Sequence, residues 1–532
     1  MAIKQDNICS KLLKIWASTI YISLLVACQS LPKNPHLPKN SLDYQPHTLK
    51  NATSESAFLQ NIKQQSAQHP NLSGYRLIAS GSDAFSTRTL LTQSAQKSID
   101  IQYYIWHDDT TGIFLLKQLW AAAERGVMVR LLLDDFNSSP SRDKILTAFA
   151  SHPNISVRVA NPLVYRKYRK LNFVTRPRQS QTRMHNKSMT FDNVVSIVGG
   201  RNIGDEYLNS NQKRRFADLD VLVAGQVIDD IKTSFESYWQ SNLSFDIQVL
   251  TQNKYSPTAF NFTLNPNEIS TYQIATQNSS MTTLIQNVMP LRWARMYFLA
   301  DDVKKLSGNA DENGLLVTQL RNMLPAPKKR LSIISSYFAP TKKGVKILKQ
   351  LSENGVQISI LTNAYTATDV RLVHMGYGHW RKDLLKSGIQ LYELKANADS
   401  LHQINKHNDK PSLMTKKSLH AKAFAIDNQA VFIGSYNIDP RSANINSELG
   451  MVIDDNMLAW HIHKALNNDI IKQNSPDILH QTYKVEINPS YQLQWRTIEN
   501  NQEVIYTKEP KTSLINRTNI ALLSLLPIDG FL

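Results

Sequence analysis

The chain has 532 residues, of which 42% are hydrophobic, and it carries a formal net charge of +17 at pH 7. This length and apolar content exclude a disordered chain and predict more than one folded domain. The excess of Lys and Arg favours anionic partners, either acidic lipid headgroups or nucleic acid, and charge alone does not choose between them.

Residues 1–27 predict a targeting signal. Three lysines precede an apolar run at residues 15–27, which is too short for a comfortable membrane span. The run ends in Leu-Val-Ala before Cys28, which resembles the lipobox of bacterial lipoproteins. The resemblance implies cleavage before Cys28 and its acylation, so we expect an exported, membrane-anchored lipoprotein facing the periplasm. An uncleaved anchor or a simple secretory signal is the alternative.

Cysteine usage is compatible with export. The chain's two cysteines are Cys9, inside the signal, and Cys28. A chain processed at Cys28 would hold no disulfide and no cysteine metal site. Gln29 follows where an Asp would usually signal inner-membrane retention, so the outer membrane is somewhat favoured.

Residues 28–72 are predicted to tether the folded part to the membrane. The stretch 30–49 is polar and initially rich in Pro, which is typical of a flexible linker, and 52–68 predicts a helix.

Residues 73–245 alternate between helical and strand patterns, which predicts an α/β sheet with parallel strands. The predicted helices are 84–95, 112–125 and 227–240, and the predicted strands are 98–106, 127–133, 155–159 and 216–225.

A basic stretch at residues 165–183 interleaves aromatic rings with seven cations. Such a cluster is often only a solvated face, but its position before the motif described next makes contact with lipid headgroups an equal candidate, with nucleic acid as the other. The seven cations are Arg166, Lys167, Arg169, Lys170, Arg176, Arg178 and Arg183.

One motif occurs twice with the same spacing. In each copy Lys follows His by two positions, Asp by seven, Gly by fourteen and Asn by seventeen. The copies comprise His185, Lys187, Asp192 and Asn202, and then His420, Lys422, Asp427 and Asn437. Two such matches do not arise by chance, so we interpret the chain as an internal duplication.

The residue types in the motif suit phosphate chemistry. Both copies predict strands, on which the His and the Lys two positions later share a face. A neutral imidazole is a nucleophile or a general base, and a neighbouring ammonium attracts an anion. An Asn amide donates hydrogen bonds to an oxyanion. Covalent phosphodiester transfer needs two imidazoles, so the two copies should meet in one site.

The paired motifs resemble the HKD signature of the phospholipase D superfamily. Residues 183–207, 219–225, 392–395 and 439–442 resemble the C-type branch of bacterial cardiolipin synthases. The resemblance implies two similar α/β/α sandwich domains related by pseudo-two-fold symmetry. It also implies a phosphatidyltransferase that makes cardiolipin from phosphatidylglycerol and a second phospholipid through a phosphohistidine, without a metal or other cofactor. Phospholipid hydrolysis, or less readily a nuclease, is the alternative.

The resemblance also implies roles for individual residues. We expect His185 to be the nucleophile and His420 the acid and base. The carboxylates of Asp218, for which Asp220 is the alternative, and Glu448 should hydrogen-bond the imidazoles. The groups expected to hold the phosphate oxygens are Lys187, Lys422, Asn202 and Asn437. Asp192 and Asp427 belong to the catalytic motif, and we expect them to brace it.

Residues 246–310 are predicted to be a linker with an insertion, and 311–532 a second domain with a C-terminal extension. The predicted elements of that domain are helices at 314–323 and 342–354, strands at 330–337, 356–362, 388–393 and 448–453, and a hairpin at 491–497 and 503–508. The apolar stretch 520–532 is either core or a segment that dips into a bilayer. The partners we expect are an anionic phospholipid membrane and phospholipid substrates, not nucleic acid; the need for an accessory protein stays open.

Overall fold

The computed structural model describes residues 30–34, 56–208, 214–261, 266–277, 279–286, 289–396, 416–466 and 478–513. The predicted signal segment, Cys28 and the apolar stretch 520–532 lie outside these residues, so the expectations for them stay predictions. Within the described ranges, no helix has both the length and the apolar composition required to cross a bilayer.

The first half of the chain folds into one sheet with helices on both faces. Alternate residues of its central strand face opposite cores: Leu131 and Leu133 pack with the early helices, and Leu132 packs with Phe235 and Tyr238. Its elements are α1 Ala57–Gln68, β1 Ser73–Ile78, α2 Gly81–Ser94, β2 Ser98–Tyr103, α3 Thr110–Glu124, β3 Met128–Asp134, α4 Pro140–Phe149, β4 Ile155–Ala160, α5 Lys170–Thr175, α6 Pro177–Gln181, β5 Ser188–Phe191, β6 Val195–Gly199, α7 Asp205–Leu208, β7 Arg214–Ala217, β8 Asp220–Gly225, α8 Val227–Trp239, β9 Ser244–Asp246 and α9 Ile247–Thr251.

The second half repeats this plan after two connecting helices. Its elements, with the connecting helices first, are α10 Pro266–Gln277, α11 Ser280–Gln286, β10 Arg292–Ala300, α12 Leu316–Met323, β11 Arg330–Ser335, α13 Lys342–Glu353, β12 Gln357–Asn363, α14 Arg371–Lys386, β13 Gln390–Leu394, β14 Lys416–Leu419, β15 Lys422–Ile426, β16 Ala430–Gly434, α15 Pro440–Asn444, β17 Leu449–Asp454, α16 Asn456–Leu466, β18 Thr482–Ile487, β19 Leu493–Glu499 and β20 Gln502–Tyr506.

Strand order is the same in both halves, which confirms the predicted pair of α/β domains. The first sheet runs β9-β4-β3-β2-β5-β6-β8-β1, and the second runs β18-β13-β12-β11-β15-β16-β17-β10. The expected parallel pairing is found in β2–β4 and in β11–β13, and the other ladders of the two sheets are antiparallel.

Strand β10 joins the two sheets. Its first residues pair with β1, and its later residues pair with β17. The antiparallel pairing of β10 with β17 corresponds to that of β1 with β8 in the first half. It lies inside the segment 246–310 that we predicted as linker and insertion, yet it holds the place in the second half that β1 holds in the first. An apolar core between the halves includes Val221, Val223, Ala423 and Met451.

The strand predicted at residues 216–225 is divided in two. β7 ends at Ala217 and β8 begins at Asp220, and the side chain of Asp218 accepts a hydrogen bond from the backbone N–H of Leu219 (2.8 Å). β7 leaves the main sheet and pairs in parallel with β14 of the other half. The break therefore frees Asp218 to point between the halves.

Candidate active site

Each motif histidine is held by the backbone of the opposite half. The N–H of His185 donates to the carbonyl of Ser447 (2.9 Å), and the N–H of His420 donates to the carbonyl of Ala217 (2.8 Å). The motif strands begin later than predicted, at Ser188 in β5 and at Lys422 in β15. The histidines therefore stand before their strands, where the two halves meet.

The side chains are paired across the same boundary. Nδ1 of His185 lies 2.7 Å from Oε2 of Glu448, and Nδ1 of His420 lies 2.6 Å from Oδ2 of Asp218. All four residues are buried. With Nδ1 engaged, Nε2 is the nitrogen left for chemistry in each ring.

The motif lysines are buried beside the histidines. Nζ of Lys187 donates to the carbonyl of His185 (2.6 Å), and Nζ of Lys422 donates to the carbonyl of His420. Burial lowers the pKa of Lys187 to about 7 and lowers that of Lys422 as well. A phosphate bound beside the two amines would favour their protonated forms, because its negative charge stabilises an ammonium.

This environment disfavours protonation of both imidazoles. Burial, followed by the charges of Lys187 and Lys422, holds the pKa of His185 well below its usual value. Burial and then Lys422 also lower the pKa of His420, and Asp218 opposes that shift. His420 also acts electrostatically on His185, so the two rings belong to one site.

The two carboxylates differ in their surroundings. Burial raises the pKa of Glu448 to about 7, although hydroxyl donors from Ser435 and Ser442 oppose the shift. Burial would also raise the pKa of Asp218, but the charge and hydrogen bond of His420 hold it below its usual range.

Asn202 and Asn437 are oriented by their amide oxygens. Oδ1 of Asn202 accepts the backbone N–H of Ile105 (3.2 Å), and Oδ1 of Asn437 accepts the hydroxyl of Ser336 (2.9 Å). Each NH₂ group, the donor end of the amide, therefore points away from that bond.

Asp192 and Asp427 stand at the opposite ends of the motif strands from the histidines. The carboxylate of Asp192 accepts the backbone N–H groups of residues 96, 97 and 98 at 2.8–2.9 Å. That of Asp427 accepts those of residues 328, 329 and 330 at 2.8–3.0 Å. Both carboxylates fix the start of the strand next to the motif strand, and we regard them as positioning residues.

Aromatic rings that the motif spacing did not reveal also contact the histidines. The ring of Tyr104 lies 4.8 Å from that of His185, centroid to centroid, and Lys187 lies 5.4 Å from the centre of the same tyrosine. Tyr207 and Phe216 pack on His420 at 5.2 and 5.0 Å. A tyrosine at the end of a buried strand carries no periodic signal, so sequence reasoning did not single it out.

The basic stretch at 165–183 divides into inward and outward cations. Arg166 and Arg169 form ion pairs of 2.6 Å with Asp143, and buried Arg183 pairs with Asp134 at 3.4 Å. In contrast, the side chains of Lys167 and Lys170 are exposed to solvent.

One other cluster of ligand-type side chains is held by an arginine. His374, Glu393 and Glu509 lie close enough to share a cation. The guanidinium of Arg381 donates to Glu509 at 2.8 Å and pairs with Glu393 at 3.0 Å. The guanidinium of Arg381 therefore takes the place that a metal ion could occupy among these side chains. Its bonds also attach the segment around Glu509 to α14.

Comparison with known proteins finds relatives that match most of the chain. The profile of the family described as "Cardiolipin synthase, PLD-like domain" matches residues 90–239 and 320–470. The "Cardiolipin synthase C" of Escherichia coli (strain K12) is 39% identical over 472 residues, which are 88% of this chain and 98% of that protein. An "Uncharacterized protein" of Helicobacter pylori (strain ATCC 700392 / 26695) is 31% identical over 86% of this chain and 89% of its own.

Among solved structures, the crystal structure of phosphatidylserine synthase from Haemophilus influenzae Rd KW20 has a similar fold. It superposes with a TM-score of 0.52 and covers 88% of this chain and 96% of its own. At 14% sequence identity, this likeness concerns the fold alone.

Proposed function

The chain belongs to the cardiolipin synthase family of phospholipase D-like proteins, and on that premise we propose that it is a phosphatidyltransferase that makes cardiolipin from phosphatidylglycerol and a second phospholipid. The observation that carries the proposal is the crossed pairing of His185 with Glu448 and of His420 with Asp218. It supplies the two oriented imidazoles that a double displacement at phosphorus requires.

In the first step, Nε2 of His185 attacks the phosphorus of the donor, and the bond from phosphorus to the leaving alcohol oxygen breaks. A nucleophilic imidazole must be unprotonated, in keeping with a pKa that burial and then Lys187 hold well below its usual value. Nδ1 donates a hydrogen bond to Glu448, and the carboxylate stabilises the positive charge that develops on the ring. The product is a phosphatidyl group on His185.

His420 is the acid and then the base. Its Nε2 gives a proton to the leaving alcohol and later removes the proton from the acceptor hydroxyl of phosphatidylglycerol. That oxygen attacks phosphorus, the phosphorus–nitrogen bond breaks, and His185 is restored. Burial and Lys422 lower the pKa of His420, and the ionised Asp218 opposes that shift. Asp218, together with the anionic phosphate of a bound donor, stabilises the protonated ring that the first step needs.

The non-bridging oxygens of the phosphate are held by two ammonium and two amide groups. Lys187 and Lys422 neutralise the charge that grows at phosphorus, and Asn202 and Asn437 donate hydrogen bonds from opposite halves. No step requires a metal ion, because these four groups supply the positive field.

We further propose that the enzyme is an exported lipoprotein acting at the periplasmic side of a membrane, with the outer membrane somewhat favoured. The support is the lipobox-like sequence that ends at Cys28. Changing Cys28 to Ser should release the chain from the membrane fraction, and membrane retention equal to that of the parent would contradict acylation as the anchor.

Lipid mass spectrometry tests the reaction. The chain and its His185→Ala variant are expressed in bacteria that lack their own cardiolipin synthases. We expect cardiolipin with the parent chain and none with the variant. Phosphatidic acid without cardiolipin would assign water as the acceptor, and unchanged lipids would contradict a phosphatidyltransferase that acts alone.

A further inference from the structure

Four apolar side chains project into solvent on one side of the site. Phe136 is 46% exposed, Tyr168 62%, Phe173 40% and Val174 80%. Phe136 follows β3, and the others belong to α5 and the turn before it. The rings of Phe136 and Phe173 are in contact, with centroids 6.4 Å apart. We call these four side chains the apolar rim. Exposed apolar groups gathered in this way mark a contact surface.

The charge around the rim is positive because the nearby acids are already paired. Asp135 and Asp143 form ion pairs with Arg166 at 2.7 and 2.6 Å. Lys167 and Lys170 remain exposed beside Tyr168 and Phe173. A surface that combines aromatic and aliphatic tips with lysines suits the interface of an anionic bilayer.

A continuous series of rings connects the rim to the reacting group. The ring of His185 contacts Tyr104 at 4.8 Å, Tyr104 stacks on Phe136 at 5.7 Å, and Phe136 meets Phe173 at 6.4 Å. Tyr104 is half-buried, so the series passes from the interior to the exposed rim. Apolar side chains that were exposed by chance would have no reason to be linked by ring contacts to His185, so the contacts favour a role for the rim at the site.

The chain close to the proposed anchor docks on the half of the molecule that carries the rim, and its contacts lead to α6, the helix that follows α5. The side-chain amide of Asn34 donates to the carbonyls of Asn242 (3.2 Å) and Ser244 (3.0 Å). The carbonyl of residue 243, between these two, accepts a hydrogen bond from the backbone N–H of Asn161. The side-chain amide of Asn161 in turn donates to the carbonyls of Gln179 and residue 182, at the end of α6. Six residues span at most about 20 Å, so an acyl group on Cys28 would lie within that distance of this docking point.

We propose that the apolar rim inserts into the surface of an anionic phospholipid bilayer, with Phe173 and Val174 among the acyl chains and Lys167 and Lys170 at the headgroups. The stacked rings of Tyr104 and Phe136 then form one wall of the route by which a phospholipid passes from the bilayer to His185. This inference rests on the proposed function for the nature of the substrate, but insertion itself is measurable without turnover.

An environment-sensitive fluorophore on a Val174→Cys variant of the full chain tests insertion. On vesicles of phosphatidylglycerol and phosphatidylethanolamine, we expect the emission to shift to the blue and to be quenched at least about threefold by spin-labelled acyl chains, because position 174 enters the apolar layer. The parent chain, treated with the same label, corrects for Cys9 and Cys28. A label at Ile505→Cys, exposed in β20, is the matched control.

The outcomes separate this inference from the proposed function. Quenching at 174 but not at 505 supports insertion even if no cardiolipin forms. Cardiolipin synthesis with an unquenched label at 174 would overturn the inference and leave the proposed function intact. An equal response on purely zwitterionic vesicles, or a response to DNA in place of vesicles, would overturn the assignment to an anionic bilayer.

Substitution gives a second readout. The pair Phe173→Ser and Val174→Ser should lower the ratio of activity on vesicles to activity on detergent-dispersed lipid about tenfold, because two apolar contacts with the bilayer are lost. The matched pair Tyr491→Ser and Ile505→Ser removes similar exposed apolar groups elsewhere and should leave that ratio unchanged. Equal ratios for the two pairs would contradict the rim as the membrane contact.

Discussion

His185 and His420 occupy equivalent positions in the two halves, and equivalent backbone and side-chain bonds hold them. Their carboxylate partners differ. Glu448 accepts hydroxyls from Ser435 and Ser442, and it has a pKa of about 7 because burial raises it. Asp218 has a pKa below its usual range because His420 outweighs burial.

This difference shows how a duplicated site can give its two histidines different protonation behaviour. The backbone keeps the two-fold symmetry, and the side chains break it. Two imidazoles in identical electrostatic surroundings would have the same intrinsic pKa, so nothing would decide which of them carries the proton. Glu448, the partner of His185, is only partly ionised near neutral pH, whereas Asp218, the partner of His420, is fully ionised. This difference allows His185 to stay neutral while His420 carries a proton.

Removal of either imidazole should have the largest effect. We expect His185→Ala and His420→Ala each to lower turnover by at least about 10³-fold. With a donor whose leaving group needs no proton, the His420→Ala chain should still acquire a phosphatidyl group, whereas His185→Ala should not. Intact-protein mass spectrometry measures the adduct.

The exposed His461 offers a matched control, since His461→Ala removes an imidazole from the surface of α16. It should retain parental turnover. An adduct that forms in His185→Ala but not in His420→Ala would reverse the assignment of nucleophile and acid.

Neutralising the carboxylates should have the next largest effect. Asp218→Asn and Glu448→Gln should lower kcat by about 10²–10⁴-fold, as the loss of a carboxylate behind a catalytic imidazole does elsewhere. We expect the greater loss from Asp218→Asn, because Asp218 is fully ionised near neutral pH and Glu448 is only partly so. Equal losses in steady-state assays at pH 7 would contradict the asymmetry.

Exchange of the small residues behind the carboxylates should have an intermediate effect. A Cβ at Gly200 would lie 2.2 Å from Oδ1 of Asp218, so Gly200→Ser should displace that carboxylate from His420. Because the bond between Asp218 and His420 would be lost, we expect about a 10²-fold loss of kcat. Gly344→Ser on α13, where a Cβ meets no atom closer than 3.6 Å, is the control that should keep its activity.

Ser435→Ala should act through pH. The hydrogen bond from Ser435 lowers the pKa of Glu448, so its removal raises that pKa above about 7. Glu448 must be ionised to accept the hydrogen bond from Nδ1–H of His185 and to stabilise the charge on that ring, and activity therefore rises as pH increases through this pKa. The acid limb of the pH–rate profile should move to higher pH, and no movement would contradict the role of Glu448.

The motif aspartates should show the smallest effect on activity. Asp192→Ala and Asp427→Ala each leave three backbone N–H groups without a carboxylate, so stability should fall by about 1–3 kcal/mol while turnover at low temperature changes little. Asp192 is buried and Asp427 is more exposed. Asp192→Ala should therefore lower the free energy of unfolding more than Asp427→Ala. Denaturant unfolding measures the difference; a loss of turnover as large as for the histidines would contradict a positioning role.

Much of this arrangement could be predicted from the sequence. Identical spacing around His185 and His420 predicted a duplicated fold, and the fold is confirmed. Helix and strand patterns predicted most of the elements of both sheets, because the helices bury one face at a regular period and the strands, covered on both faces, read as apolar runs. The family resemblance, confirmed by the comparisons, also led to Asp218 and Glu448 as partners of the imidazoles.

Other features depend on packing between distant segments. Neither the crossing of the carboxylates between the halves nor the ring of Tyr104 beside His185 is encoded in local periodicity. The sequence did not predict β10, because its residues mix arginines with apolar side chains and show no regular alternation. The strand is recognised from its pairing with β1 and β17. The basic stretch at 165–183 could be divided into inward and outward cations only after Asp135 and Asp143 were located.

The order in which the chain is made gives the crossed pairing a further consequence. His185 emerges early, but its backbone support at Ser447 and its carboxylate at Glu448 follow more than 260 residues later. A nascent chain that has not reached residue 448 therefore holds an imidazole with no carboxylate to orient it. The enzyme therefore stays inactive until most of the second half has been synthesised, and a fragment that ends before this point lacks the carboxylate that orients His185.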